Sequence, residues 1–140
     1  MGSKRSKHAL YVLDSFALLA YLEDEPGAAR VGGLLSSARK DEIEIWISIV
    51  NYGEVLYIVE RGRGRDSAKM TIATIDQLPV TVADANRLLT FGAAHIRAQH
   101  AISYADAFAV ALAQSKGGGV VTGDPEFKKV ETLVSVEWLA

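Results

Sequence analysis

Four acidic residues, Asp14, Glu54, Asp106 and Asp124, stand where an ordinary solvated surface does not require them. Asp14 closes the apolar run Leu10-Tyr-Val-Leu13, and Asp124 comes just after Val120-Val-Thr122. Each therefore lies at the carboxyl end of a short strand candidate. Glu54 and Asp106 fall inside helical patterns instead. At helical spacing Glu54 shares a stripe with Ile47, Val50 and Ile58, with Tyr57 close to it, and Asp106 shares one with Ile102, Val110 and Ala113. A carboxylate within an apolar stripe is costly to bury unless something pairs with it. Three of the acids also have plain structural uses. Asp14 and Asp124 are good helix caps, the second with Pro125 at the first helical position, and Asp106 follows Ser103 at capping-box spacing.

Convergence of these acids would call for a cation. Two unit charges about 4 Å apart repel by roughly 4 kcal/mol at an effective dielectric of about 20. Carboxylates gathered without a counter-ion would have raised pKa values or would disperse. The chain has no cysteine, and His8, His95 and His100 form no evident cluster. Oxygen-only ligation favours Mg²⁺ or Mn²⁺ over a structural zinc, and the Ca²⁺-binding loop motif is missing. Ser15 and Thr122 have no nearby histidine, so a serine-hydrolase arrangement fits poorly.

The elements that must position these acids follow from periodicity and breakers. Strands are expected at 10–13, 43–47, 79–82, 120–122 and 132–136. Helices are expected at 16–22, 28–38, from the Ser48 cap to about residue 60, 65–75, 84–99 and 103–115. Gly62 and Gly64 mark a turn between two of the helices, and Gly117-Gly-Gly119 breaks the last. Apolar strands alternating with helices imply an α/β fold: a three-layer α/β/α sandwich with a mostly parallel central sheet. In such a sheet the carboxyl edge lines the ligand crevice, where Asp14 and Asp124 would meet.

With 140 residues, 49% of them hydrophobic, the chain suits one domain with a real core. Residues 1–9 read as a flexible basic segment and 10–140 as the single domain. No apolar run approaches the roughly 18–20 residues that a membrane span needs. The basic start is not a convincing secretion signal, and the lack of cysteine fits a reducing cytoplasm. A net charge of −2 gives no whole-protein attraction to nucleic acid. Local basic runs remain: Lys4, Arg5 and Lys7; Arg61, Arg63, Arg65 and Lys69; and Lys128 with Lys129. A solvated charged loop and a polyanion contact are both open readings of each run.

Four segments stand in order along the chain: Tyr11-Val-Leu-Asp-Ser15 with the following Ala-Leu-Leu-Ala-Tyr-Leu helix, Ser48-Ile-Val-Asn-Tyr-Gly-Glu54, Ile102-Ser-Tyr-Ala-Asp-Ala-Phe-Ala-Val-Ala-Leu-Ala113, and Val120-Val-Thr-Gly-Asp-Pro-Glu-Phe127. Together they resemble the PIN-domain ribonuclease family, and within it the VapC-type toxins of toxin–antitoxin pairs. The resemblance implies that Asp14, Glu54, Asp106 and Asp124 form the metal and catalytic site, with Ser15, Asn51 and Thr122 in support. Many relatives carry a further acid at the position of Ala109, so its loss bears on a second metal. The resemblance also implies Mg²⁺- or Mn²⁺-dependent endoribonuclease activity, an RNA substrate, a VapB-type antitoxin partner and a homodimer. Arg61, Arg63 and Arg65 are the candidate RNA-binding residues, on a loop between glycines. An RNA-processing nuclease outside a toxin pair, a magnesium phosphotransferase and a non-enzymatic interaction module are the competing readings. The phosphotransferase lacks its Asp-x-Asp pair, because Phe16 holds the second position.

Overall fold

The computed structural model describes residues 8–139, so Lys4, Arg5 and Lys7 and nearly all of the basic N-terminal segment lie outside the described residues. In chain order the elements are β1 (Ala9–Leu13), α1 (Ser15–Leu22), α2 (Ala28–Arg39), β2 (Ile43–Ser48), α3 (Ile49–Arg63), α4 (Arg65–Ile75), β3 (Thr81–Ala83), α5 (Arg87–Gln99), α6 (Tyr104–Lys116), β4 (Gly119–Thr122), a 3₁₀ turn (Pro125–Val130) and β5 (Val136–Trp138). The five strands form one sheet in the order β3-β2-β1-β4-β5, with every pairing parallel. This is the α/β/α sandwich that the alternation of elements implies.

Side-chain alternation divides the core between the two sheet faces. Val12 and Val120 pack against α5 and α6, with Phe108, Leu112 and Ile96. Leu13, Val121, Ile45 and Ile47 point the other way, onto Leu18, Val31, Leu35 and Val55 of α1, α2 and α3. Full burial of each such aliphatic side chain contributes on the order of 1.5–3 kcal/mol. Between α6 and β4, Gly117 ends the helix at φ +70. A Cβ on Gly118 would collide with the Leu10 backbone, so these glycines permit both the helix stop and the close approach to β1.

The strand order has one consequence for function. From β1 the chain moves to β2 and β3 on one side, then returns to lay β4 and β5 on the other. The reversal lies between β1 and β4, and the crevice beyond their carboxyl ends is the place where open α/β sheets bind ligands.

Several sequence expectations need correction. The last strand is Val136–Trp138 rather than 132–136, because residues 131–134 turn while Val134 is buried in the core. The third strand is Thr81–Ala83, and α5 begins only after Asn86, whose side chain accepts a hydrogen bond from Leu89 N. Gly62 is helical and Gly64, at φ +93, makes the break alone. Arg61 and Arg63 therefore occupy the last turn of α3 and Arg65 the first residue of α4, instead of sharing a glycine-flanked loop. The stripe assigned to Glu54 is not a core stripe either. The buried face of α3 is Asn51, Tyr52, Val55 and Val59, whereas Glu54 is half-buried and Tyr57 and Ile58 are exposed.

Candidate active site

Asp14 directly follows β1, on the same sheet face as Val12, and the β1–β4 register places Thr122 beside it. Thr122 donates its hydroxyl hydrogen to Asp14 Oδ2 at 2.5 Å and accepts Asp124 N–H at 2.9 Å. The other Asp14 oxygen accepts Ala17 N–H at 2.8 Å, capping α1. Asp124 likewise caps the 3₁₀ turn by accepting Glu126 N–H at 2.9 Å. The cap reading of both aspartates is thus correct, and capping leaves each carboxylate with lone pairs to spare.

Asp106 arrives from the opposite wall. It sits in the first turn of α6, where its backbone N–H donates to the Ser103 cap at 3.1 Å. The helix is held in place by Asn51, which is fully buried. The Asn51 amide nitrogen donates to Ser15 Oγ at 3.1 Å and to the carbonyl of Ala105 at 3.2 Å. Its amide oxygen accepts the Ser48 hydroxyl at 2.6 Å. One side chain therefore ties the residue after Asp14 to the residue before Asp106, from a point one turn ahead of Glu54. The family resemblance names Asn51 as a supporting residue without saying what it bonds; its bonds to α1 and α6 depend on tertiary packing.

Electrostatics separates buried acids from half-exposed ones. Asp14 is 1% exposed, and burial pushes its pKa up to about 7 against the relief from Thr122 and Ala17, with the charges of Asp106 and Asp124 adding to the rise. Burial likewise raises Asp106 to about 6, opposed by hydrogen bonding to Ser103 and reinforced by Asp124, Glu54 and Glu126. All four sequence-predicted acids thus share one field. Glu126, which sequence reasoning passed over, belongs to it as well, although Lys129 pairs with it at 2.9 Å. Among the described residues, no lysine or arginine forms an ion pair with Asp14, Glu54, Asp106 or Asp124.

The donor set is all oxygen and strongly anionic, which suits a hard divalent cation. As the side chains stand, no three acidic or imidazole groups among the described residues are grouped closely enough to hold one ion. Two buried acids, Asp14 and Asp106, accompany two half-buried ones, Glu54 and Asp124.

The candidate RNA-contacting arginines lie beyond Glu54, Arg61 and Arg63 at the end of α3 and Arg65 at the start of α4. The Arg61 guanidinium stacks over Tyr57, 5.3 Å from the ring centre. Arg63 is engaged with Glu23 at 2.6 Å, and Arg65 is exposed. In the third basic run, Lys129 donates to the Ala101 carbonyl as well as to Glu126, while Lys128 is exposed.

Residues 11–133 match the PIN domain family. The chain belongs to that family. PIN domains are nucleases and generally use a divalent metal. Solved structures give the same fold. The VapBC2 complex of Rickettsia felis, bound to a DNA fragment from its promoter, superposes with a TM-score of 0.72 at 17% identity, covering 94% of this chain and 99% of that one. DNA-bound VapBC from Salmonella typhimurium gives 0.72 at 18% identity, with the same coverage of 94% and 99%. VapC20 of Mycobacterium tuberculosis, a toxin that cleaves the sarcin–ricin loop, gives 0.64 at 22% identity and covers 84% of this chain and 92% of its own. At these identities the likeness is one of fold. Comparison with curated protein sequences returned no match.

Proposed function

We propose that this PIN domain is a divalent-metal-dependent endoribonuclease, acting in the cytoplasm as the toxin of a toxin–antitoxin pair. The observation that carries the reading is the pair of buried, pKa-raised aspartates, Asp14 and Asp106, at the β1–β4 switch point with no basic partner among the described residues. An acid cluster that burial destabilises is relieved by a bound cation, and a phosphodiester approaching such a cluster needs the same cation to screen it. Mg²⁺ or Mn²⁺ held there supplies Lewis acidity toward the phosphate.

In this reading Asp14 and Asp106 are the fixed ligands. Glu54 and Asp124, both half-buried, would complete the set, with Asp124 the candidate for orienting water. Thr122 holds Asp14 Oδ2, so the Asp14 carboxylate presents one defined edge to the crevice. Asn51 and Ser15 keep the α1 and α6 walls at fixed separation. Ala109 contributes no carboxylate, so the ligands number four at most unless Glu126 joins them.

The fold shared with VapBC complexes supports a VapB-type antitoxin as partner, and a homodimer is the working form that the family resemblance implies. A basic side chain of the antitoxin would compensate the unpaired acids through charge-assisted hydrogen bonds. The test is cleavage of total cellular RNA by purified protein, with fragment ends mapped, beside an Asp14→Asn control. Cutting that needs Mg²⁺ or Mn²⁺ and stops on chelation is expected. Unchanged cutting after complete metal removal would contradict the mechanism.

A further inference from the structure

Phe16 follows Asp14 by two positions at the start of α1, yet it is 43% exposed while Ser15, Ala17 and Leu18 around it are buried. Its ring does not project freely. It lies so close to Gly123 that a Cβ there would collide with the ring atoms. Gly123 is the residue between Thr122, which bonds Asp14, and Asp124. The ring is therefore seated on the backbone between Thr122 and Asp124, with part of its surface left open. Among the described residues other large apolar groups are also exposed, including Tyr104, two positions before Asp106, which packs edge-on against Phe108 of its own helix, and Leu88 and Phe91 on α5, which follow the edge strand β3.

We propose that Phe16 is a base-stacking residue of the nucleic-acid site, holding an unpaired base beside the phosphate that reaches the acid cluster. The inference rests on the nuclease reading. An acidic crevice has little to offer a polyanion except through its metal, so affinity beside the acids calls for uncharged contacts, and an aromatic face serves any base without reading its sequence. Seating against Gly123 restricts the ring before RNA binds, which lowers the ordering cost of the contact. The absent Cβ at 123 and the exposed ring at 16 form a matched pair that general core packing does not require.

The test uses the Asp14→Asn protein, so that RNA stays intact, and a single-stranded RNA carrying 2-aminopurine at successive positions. Quenching of one position on binding, lost in Phe16→Leu together with about ten-fold in affinity and restored by Phe16→Tyr, is the expected result. Phe91→Leu serves as the remote aromatic control and should change neither. Thermal melting of each variant shows whether it is folded, and the Tyr variant keeps the ring seated if Leu loosens α1. Equal affinity and quenching in Phe16→Leu would overturn the stacking role while leaving the nuclease reading intact. So would a defect confined to binding of a protein inhibitor, which would give the ring to that partner. If Asp14→Asn binds no RNA and the unsubstituted chain cuts none, the nuclease reading itself fails and Phe16 loses its substrate with it.

Discussion

At the amino end of the sheet an open groove of about 710 Å³ runs past Leu10, Gly118, Gly119, Ser135 and Val136, and its one acid, Glu137, is paired with Arg30. At the carboxyl end Asp14 and Asp106 are buried with raised pKa values and no ion-pair partner among the described residues. The same five strands contribute to both ends. The groove and the unpaired acids therefore lie at opposite ends of the sheet, and buried, unrelieved charge is the stronger pointer to a functional site.

The sharpest break between the two ends should come from single carboxylate-to-amide changes. Asp14→Asn is expected to lower RNA cleavage by at least about a hundred-fold. Glu137→Gln removes an equally genuine charge at the other end and should leave the rate within a factor of about two, since exposed ion pairs contribute little. Equal losses in the two variants would mean that the sheet ends are not functionally distinct.

A second contrast concerns how the carboxyl end is held. Asn51→Ala strips the bonds to Ser15, Ser48 and Ala105, leaving buried polar groups unpaired at a cost of about 2–3 kcal/mol. Denaturant unfolding should show that loss, and activity should fall with it because α6 no longer has a fixed place against α1. A change below about 0.5 kcal/mol, the usual range for surface substitutions, would show that the clamp is dispensable.

How far these features are legible in the sequence depends on how local their causes are. The interior strands β1, β2 and β4 are apolar runs, and the Ser48 and Ser103 caps locate α3 and α6. The three-residue edge strands are harder to place, because each pairs on one side only and Val134, in a turn, is as apolar and buried as a strand residue. Strand-end positions made Asp14 and Asp124 visible as candidates. Helical spacing pointed to Asp106 for a sound reason, since its neighbours Ile102, Val110 and Ala113 are indeed core. At Glu54 only the stripe fails, since Tyr57 and Ile58 face solvent: periodicity reveals a stripe without revealing what covers it. The seating of Phe16 on Gly123 and the bonds of Asn51 join residues far apart in the chain, and no local pattern carries them.

The smallest expected effect concerns the arginines. Arg61→Gln with Arg65→Gln should weaken RNA binding a few-fold and reduce the salt slope by about 1–2. Arg63→Gln should do less, since Glu23 already engages Arg63. An unchanged salt slope in the double variant would take this basic run out of the RNA path.

The central claim, that the carboxyl-end acids form a cation site, is tested most directly by calorimetric titration of Mn²⁺ into metal-free protein between pH 6 and pH 8. Asp14, raised to about 7, is neutral in much of the folded population at the lower pH. Because its folded pKa lies above the ordinary value of 3.8, its contribution to metal-free stability is complete below that value and is lost as pH rises through about 7. Metal binding must displace the Asp14 proton, so affinity should climb across this window with proton release. The account predicts a saturable site whose affinity rises with pH in the unsubstituted chain, and at least about ten-fold weaker binding with a flattened pH dependence in Asp14→Asn. Identical Mn²⁺ isotherms for the two proteins at every pH would contradict it.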